Sequence, residues 1–186
     1  MRSDSLPINE IFYSLQGEGF HTGTPAVFVR LSGCNLRCSF CDTDHSHSTP
    51  MTVREILAEV TRYPAPTVIL TGGEPSLYDI DPLIRALHDH GRRVHIETNG
   101  TRALPDSLDW ITCSPKPGGA VVLPRCNELK IVYTGQDVEA IAESIPADHH
   151  FLQPCSGANI PEVIDYILFH PRWRLSLQTH KLLDIR

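Results

Sequence analysis

The chain reads as an α/β fold: an open, partial barrel on a mostly parallel sheet, with reduced helical crossovers. Three observations predict it. Short β-rich runs alternate with amphipathic helical runs, which implies right-handed crossovers and parallel strands. The 186 residues suit one domain spanning 1–186 with a sizeable core, but a closed eight-stranded barrel usually needs roughly 250. Two connections, 98–108 and 113–127, are also rich in Pro and Gly and show little helical period.

Strands are predicted at 26–31 (AVFVRL), 67–70 (TVIL), 94–97 (VHIE), 109–112 (DWIT), 128–133 (ELKIVY), 151–153 (FLQ) and 174–178 (RLSLQ), with a further short one at 8–13. Several are rich in Val, Ile and Leu on both faces, as strands buried in a parallel sheet tend to be. The helices are punctuated. Thr52 with Glu55 three residues on is a capping-box pattern ahead of Ile56, Leu57 and Val60. Asp81-Pro82 opens a helix whose Leu83, Ile84 and Leu87 share a face and which Gly91 ends. Two more run near 137–144 and 161–170. No repeat or linker divides the chain.

Sixteen basic against 22 acidic residues give a formal charge of −6, and the basic ones do not cluster. That argues against nucleic acid as a partner, since phosphate binding needs concentrated Lys and Arg. No run approaches the ~18 apolar residues of a membrane span. Residues 1–7 are polar and lack a secretory h-region, so the expected location is the cytosol. In that reducing setting the six cysteines point to metal binding or catalysis rather than disulfides.

Three of them, Cys34, Cys38 and Cys41, fall within eight residues; Cys113, Cys126 and Cys155 are scattered. Structural zinc and electron-transfer 4Fe-4S clusters both want four protein ligands. Three thiolates leave one iron with an open position for a small molecule, and the amino and carboxylate groups of S-adenosylmethionine can chelate it. The competing reading is a zinc loop completed by His45 or His47. Cys113 and Cys126 read as small core residues. His149, His150 and the His45–His47 pair read as solvated loop residues.

Ligands of parallel sheets and barrels bind at the carboxyl ends of the strands. Nearly every unusual cluster here follows a predicted strand: the cysteine loop, Thr71-Gly72-Gly73-Glu74-Pro75, Thr98-Asn99-Gly100, Cys113-Ser114-Pro115-Lys116, Pro154-Cys155-Ser156-Gly157 and Thr179-His180-Lys181. All are expected at one mouth. There Gly72 and Gly73 let backbone approach a ligand, Glu74 offers an acceptor for an ammonium group, and Ser114 with Lys116 offers a donor and a positive charge for a carboxylate.

With the CxxxCxxC loop and Gly72-Gly73-Glu74-Pro75, the chain resembles the radical S-adenosylmethionine superfamily, whose core is a TIM-like barrel. More narrowly it resembles the 7-carboxy-7-deazaguanine synthase family. That narrower likeness rests on residues 13–19 (YSLQGEG), 28–31 (FVRL), 41–43 (CDT), 97–100 (ETNG), 114–116 (SPK) and 178–181 (QTHK), which span the chain.

The resemblance implies that Cys34, Cys38 and Cys41 hold a 4Fe-4S cluster. Phe40, Asp42, Gly73, Glu74, Ser114, Pro115, Lys116, Gln153, Pro154, Cys155 and Ser156 would surround S-adenosylmethionine. Leu15, Gln16, Gly17, Glu18 and Arg30 would bind a pterin, with Thr71 and Thr98 lining the same pocket, Thr43 offering its hydroxyl to Mg²⁺, and the terminal carboxylate of Arg186 reaching the substrate. The implied reaction is a lyase step of queuosine and 7-deazapurine biosynthesis. It turns 6-carboxy-5,6,7,8-tetrahydropterin into 7-carboxy-7-deazaguanine and ammonia, with a 5′-deoxyadenosyl radical abstracting and returning a hydrogen. An external, flavodoxin-like electron donor is implied. The residues themselves agree in part: Arg30 suits a carboxylate, and Gln16 with Glu18 suits a pterin edge.

Some members of this family expand the cysteine loop; this chain keeps the short spacing. Its thinned crossovers over a short sheet predict a homodimer. Two rivals remain at this stage: an activase that installs a glycyl radical on a partner enzyme, and a non-enzymatic zinc-binding module.

Overall fold

The structure is a computed structural model describing residues 5–44 and 47–186. Among these, β1 (Ser5–Leu15), β2 (Pro25–Leu31), β3 (Thr49–Thr52), β4 (Thr67–Gly72), β5 (Arg93–Thr98), β6 (Trp110–Cys113), β7 (Cys126–Tyr133), β8 (Ala147–Pro154) and β9 (Trp173–Leu175) form one sheet, in the order β3-β1-β2-β4-β5-β6-β7-β8-β9. Every pair from β2 to β9 is parallel. β1 pairs antiparallel with both β2 and β3. The result is the mostly parallel, open α/β sheet that the alternation of elements predicts.

Helices α1 (Val53–Val60), α2 (Asp81–Asp89), α3 (Val138–Ser144) and α4 (Ile160–Phe169) pack on the sheet, and a short α5 (Thr179–Leu182) follows β9. The capping box of α1 forms as read: Thr52 Oγ1 accepts from the Glu55 N–H, and the Glu55 carboxylate accepts from the Thr52 N–H. The β5–β6 and β6–β7 connections carry no helix. Leu104 and Leu108 from the first, and Leu123 from the second, pack onto the core in their place.

Three details depart from expectation. β3 is a strand that the polar sequence TPMT did not signal; pairing with β1 alone makes it one. The last strand is confined to Trp173–Leu175 and the chain then turns away into α5. His149 and His150 lie within β8, not in a loop, and His149 stacks on Phe20 with ring centroids 4.3 Å apart.

The register sorts the side chains by face, because alternate residues of a strand share one. Val27, Val29, Leu31, Val68, Leu70, Val94, Ile96, Leu129, Ile131 and Leu152 face the helices and are fully buried. Each contributes on the order of 1.5–3 kcal/mol by leaving water. The pairs Arg30↔Thr71, Ile69↔His95, Glu97↔Thr112, Thr112↔Glu128, Glu128↔His149 and Lys130↔Phe151 set the opposite face. That face is polar. Thr179 N–H and Oγ1 both donate to Gly17 O, so the sheet curls until the β1–β2 loop meets the segment beyond β9.

Candidate active site

The polar face and the carboxyl ends of the strands enclose a cavity of about 530 Å³. Nearly all the residues singled out above line it: Cys34, Cys38, Phe40, Cys41, Asp42 and Thr43 from the loop after β2; Thr71 within β4 and Gly73 just after it; Thr98; Ser114 and Lys116; Gln153 to Ser156; Leu15 to Glu18; Arg30; and Arg186. Pro115 and Glu74 do not line it. His45 lies outside the described residues.

The cysteine loop is held by the neighbouring strand ends. Gly73 N–H donates to Leu31 O and Glu74 N–H to Gly33 O, both at 2.9 Å. A Cβ on Gly73 would lie 1.8 Å from Gly33 O, and one on Gly72, which has φ +115°, 2.2 Å from Leu31 O. These glycines therefore admit the backbone of the cysteine loop first. Asn99 Nδ2 donates to Asn35 Oδ1 at 3.0 Å and Asn35 Nδ2 to Thr101 Oγ1 at 2.8 Å, tying the loop to the end of β5. Glu74 is wholly buried, and its carboxylate accepts from Thr98 Oγ1 (2.7 Å), Asn99 N–H (2.6 Å) and Ser76 N–H (3.0 Å). In this arrangement Glu74 braces two rim turns.

Three thiols in one loop are the donor set an iron–sulfur cluster takes, although among the described residues no group of three or more His, Cys, Asp or Glu is already gathered as for a metal ion. All three thiols are free and line one cavity, and Leu36 N–H donates to Cys34 Sγ at 3.4 Å, which helps to orient that sulfur. Burial pushes the Cys38 thiol up, as do the two neighbouring cysteines, against the pull of Lys116; iron would supply the missing positive charge.

Opposite the cysteines stands a buried ionic group. Lys130 Nζ contacts Glu18 Oε2 at 2.6 Å and Glu97 Oε2 at 2.7 Å, and its side chain is 3% exposed. Gln16 Nε2 donates to Glu97 Oε1 at 2.9 Å. Burial works to raise the Glu18 carboxyl and to lower the Lys130 ammonium, yet their mutual attraction wins on both: Glu18 is held below its ordinary range and Lys130 above. Lys116 is pulled down by its burial, then by Lys130, and donates to Ser114 O at 3.0 Å and to Ser114 Oγ. On the other flank Glu10 receives Arg30 Nε at 2.9 Å and Arg186 at 2.5 Å, beside the stacked Phe12 and Phe28 rings. Asp42 accepts from Lys181 (2.5 Å) and Gln178 (3.1 Å); burial would raise its carboxyl, but these donors hold it low.

Glu97 and Lys130 had no role in the reading by strand ends, because both lie inside strands. Their signal was nonetheless present: charged residues in apolar parallel strands are almost never buried unless paired. His180 and Lys181, expected at the mouth, line the cavity, and so does Gln178, quoted only as part of a motif.

Comparison with known proteins agrees with this geometry. Residues 28–112 match the Radical SAM superfamily. The chain is 65% identical to a 7-carboxy-7-deazaguanine synthase of Bacteroides thetaiotaomicron, over 96% of this chain and 98% of that one. It is 42% identical to the namesake of Bradyrhizobium diazoefficiens, over 98% and 100%. The crystal structure of QueE from Escherichia coli superposes with a TM-score of 0.80 at 32% identity, covering 93% of each chain. With three sulfurs facing a polar, half-enclosed cavity and relatives that match end to end, the chain belongs to the 7-carboxy-7-deazaguanine synthase family of radical S-adenosylmethionine enzymes.

Proposed function

We infer that this chain is a lyase converting 6-carboxy-5,6,7,8-tetrahydropterin to 7-carboxy-7-deazaguanine with release of ammonia. The observation that carries the reading is that one cavity joins Cys34, Cys38 and Cys41 to Arg30 and the Glu18–Lys130–Glu97 group. When bound, the cluster and S-adenosylmethionine supply the radical that takes a substrate hydrogen. The chain's own residues bind, orient and exclude water.

Arg30 is the partner for the substrate carboxylate, with Glu10 steadying its guanidinium. Gln16, Glu18 and Glu97 present donors and acceptors to the pterin edge, and Lys130 keeps the two carboxylates aimed. Thr71 and Thr98 line the same pocket. Phe40, Asp42, Gly73, Ser114, Lys116 and Gln153–Ser156 surround S-adenosylmethionine, Glu74 acting through the turns it braces. Thr43 offers its hydroxyl to Mg²⁺, and Arg186 reaches the substrate from beside Ser14, whose Oγ donates to the Arg186 main-chain oxygen at 2.5 Å. An external reductant supplies the electron. Among the described residues no helix is long and apolar enough to cross a membrane.

A homodimer belongs to the same proposal. Leu168 and Phe169 at the end of α4 are 73% and 83% exposed, and would find cover there. A monomeric mass at micromolar concentration would rule it out.

The test is a product assay. Anaerobically reconstituted protein with the tetrahydropterin, S-adenosylmethionine, Mg²⁺ and a reductant yields 7-carboxy-7-deazaguanine and ammonia. Cleavage of S-adenosylmethionine without that product would favour the glycyl-radical activase. Colourless protein carrying one zinc would favour the metal-binding module.

A further inference from the structure

Behind the Glu18–Lys130–Glu97 group lies a second, small cavity of about 10 Å³. Gln16, Glu18 and Glu97 line it as well as the main cavity, and His21, His95 and Glu128 complete its polar wall. It is on the scale of one water molecule. Two polar atoms on its lining residues, His21 Nε2 and Glu128 Oε1, are buried and make no full hydrogen bond among the described residues; the Trp110 indole N–H, which donates to Thr112 Oγ1 at 3.2 Å, is the least of the pulls on the Glu128 carboxylate. Folded proteins seldom leave such atoms bare, and an ordered water is the usual remedy. The other Glu128 oxygen is pinned by the Phe20 N–H at 3.1 Å, so the free one is fixed in place. Glu128 is 2% exposed, whereas His21, in the β1–β2 loop, is only partly buried. The site thus runs from solvent, at the end where the parallel strands begin, to the carboxylates facing the substrate cavity.

We propose that His21 and Glu128, joined by one buried water, form a proton inlet that feeds Glu97 and Glu18 from the end of the sheet opposite the cysteines. The inference rests on the reaction inferred above, whose departing nitrogen takes up a proton. The nitrogen leaves as ammonium, so substrate and one proton give product and NH₄⁺, with no net electron transfer. The proton passes from solvent to His21, through the water to Glu128, on to Glu97 or Glu18, and ends on the departing nitrogen. The mouth at the cysteine end is the face the cofactors would fill, and radical chemistry favours its closure to water.

The chemistry of Glu128 suits a carrier. Burial, and then the Glu97 carboxylate, push its carboxyl up to about 7, against Lys130 on its own strand. His95 and Glu97 from β5, Glu18 and His21 from the β1–β2 loop, His149 from β8 and Cys126 on its own strand also stand around it. His95 is lowered to about 4 by burial, then by His21 and Arg93, and so is neutral at pH 7. Glu128 touches no reacting atom; it acts through Glu97 and Glu18.

Two measurements test this. In cofactor-free protein at pH 6, infrared spectroscopy should find a protonated buried carboxyl that shifts in D₂O, titrates near neutrality and is missing from Glu128→Gln. With its raised folded value, that proton stabilises the fold at low pH and the benefit is lost as pH rises through about 7. The melting temperature of Glu128→Gln should therefore gain on the parent between pH 5 and pH 8. In the loaded enzyme, Glu128→Gln should keep its cluster and a KM within about twofold, lose roughly 10- to 100-fold in kcat and show a larger solvent deuterium effect. His21→Gln should follow in the same direction, and Glu128→Asp should recover part of the loss. No protonated carboxyl in the parent protein overturns the proposal, as does a Glu128→Gln or His21→Gln enzyme with parental kcat and isotope effect. A loss in Glu128→Gln that falls equally on KM and cluster content would mark a structural role and also overturn it. If the parent makes no deazaguanine while the carboxyl band is present, it is the reaction assignment that fails, not the site.

Discussion

Along β7, Leu129 and Ile131 are buried against the helices, while the polar Glu128 and Lys130, adjacent in sequence, are equally buried on the opposite face. The two faces of this sheet therefore reach similar burial by opposite means. On the helix side each residue gains by leaving water. On the cavity side the Lys130 charge loses hydration and is kept only because Glu18 and Glu97 stand within 3 Å of it. One face carries stability. The other spends some of it to hold a preformed polar surface.

Substitutions can separate the two. The largest effect is expected at the rim, where Cys38→Ala should leave both faces folded but abolish the brown colour and all cleavage of S-adenosylmethionine. Iron analysis and a cleavage assay decide it, and residual cleavage would mean the ligands are misassigned. Next comes Lys130→Met, which keeps most of the volume and strands two carboxylates. It should cost at least about 100-fold in kcat/KM, or about 2.7 kcal/mol, and also destabilise the fold by ~3–5 kcal/mol. An active, stable Lys130→Met enzyme would show that the polar face is incidental. The smallest effect on catalysis is expected on the helix side. Leu70→Ala should lose ~2–5 kcal/mol of stability by denaturant titration, with kcat and KM per folded molecule unchanged.

This contrast also explains what could be read in the sequence. Apolar runs and capping signals placed most strands and four helices, because burial against helices is a local, periodic pattern. The rim was legible for the same reason: glycine, cysteine and serine clusters after strands have no core role. The short strand Thr49–Thr52 was not, since only pairing with β1 defines it. His149 and His150 looked solvated because polarity was taken for exposure, yet Phe20 and Trp110 cover the His149 ring. Glu97 and Lys130 were missed because their partners lie 33 residues apart, and a third, Glu18, lies 112 from Lys130. Pairing across a sheet becomes visible only once the register is known.

Cys34, Cys38 and Cys41 should leave one iron open toward the polar cavity. Electron–nuclear double resonance on the frozen, reduced protein, with S-adenosylmethionine labelled at its amino nitrogen and carboxylate oxygens, tests it most directly. The account predicts hyperfine coupling from both labelled groups. Coupling from a protein nitrogen instead, with none from the label, would contradict it.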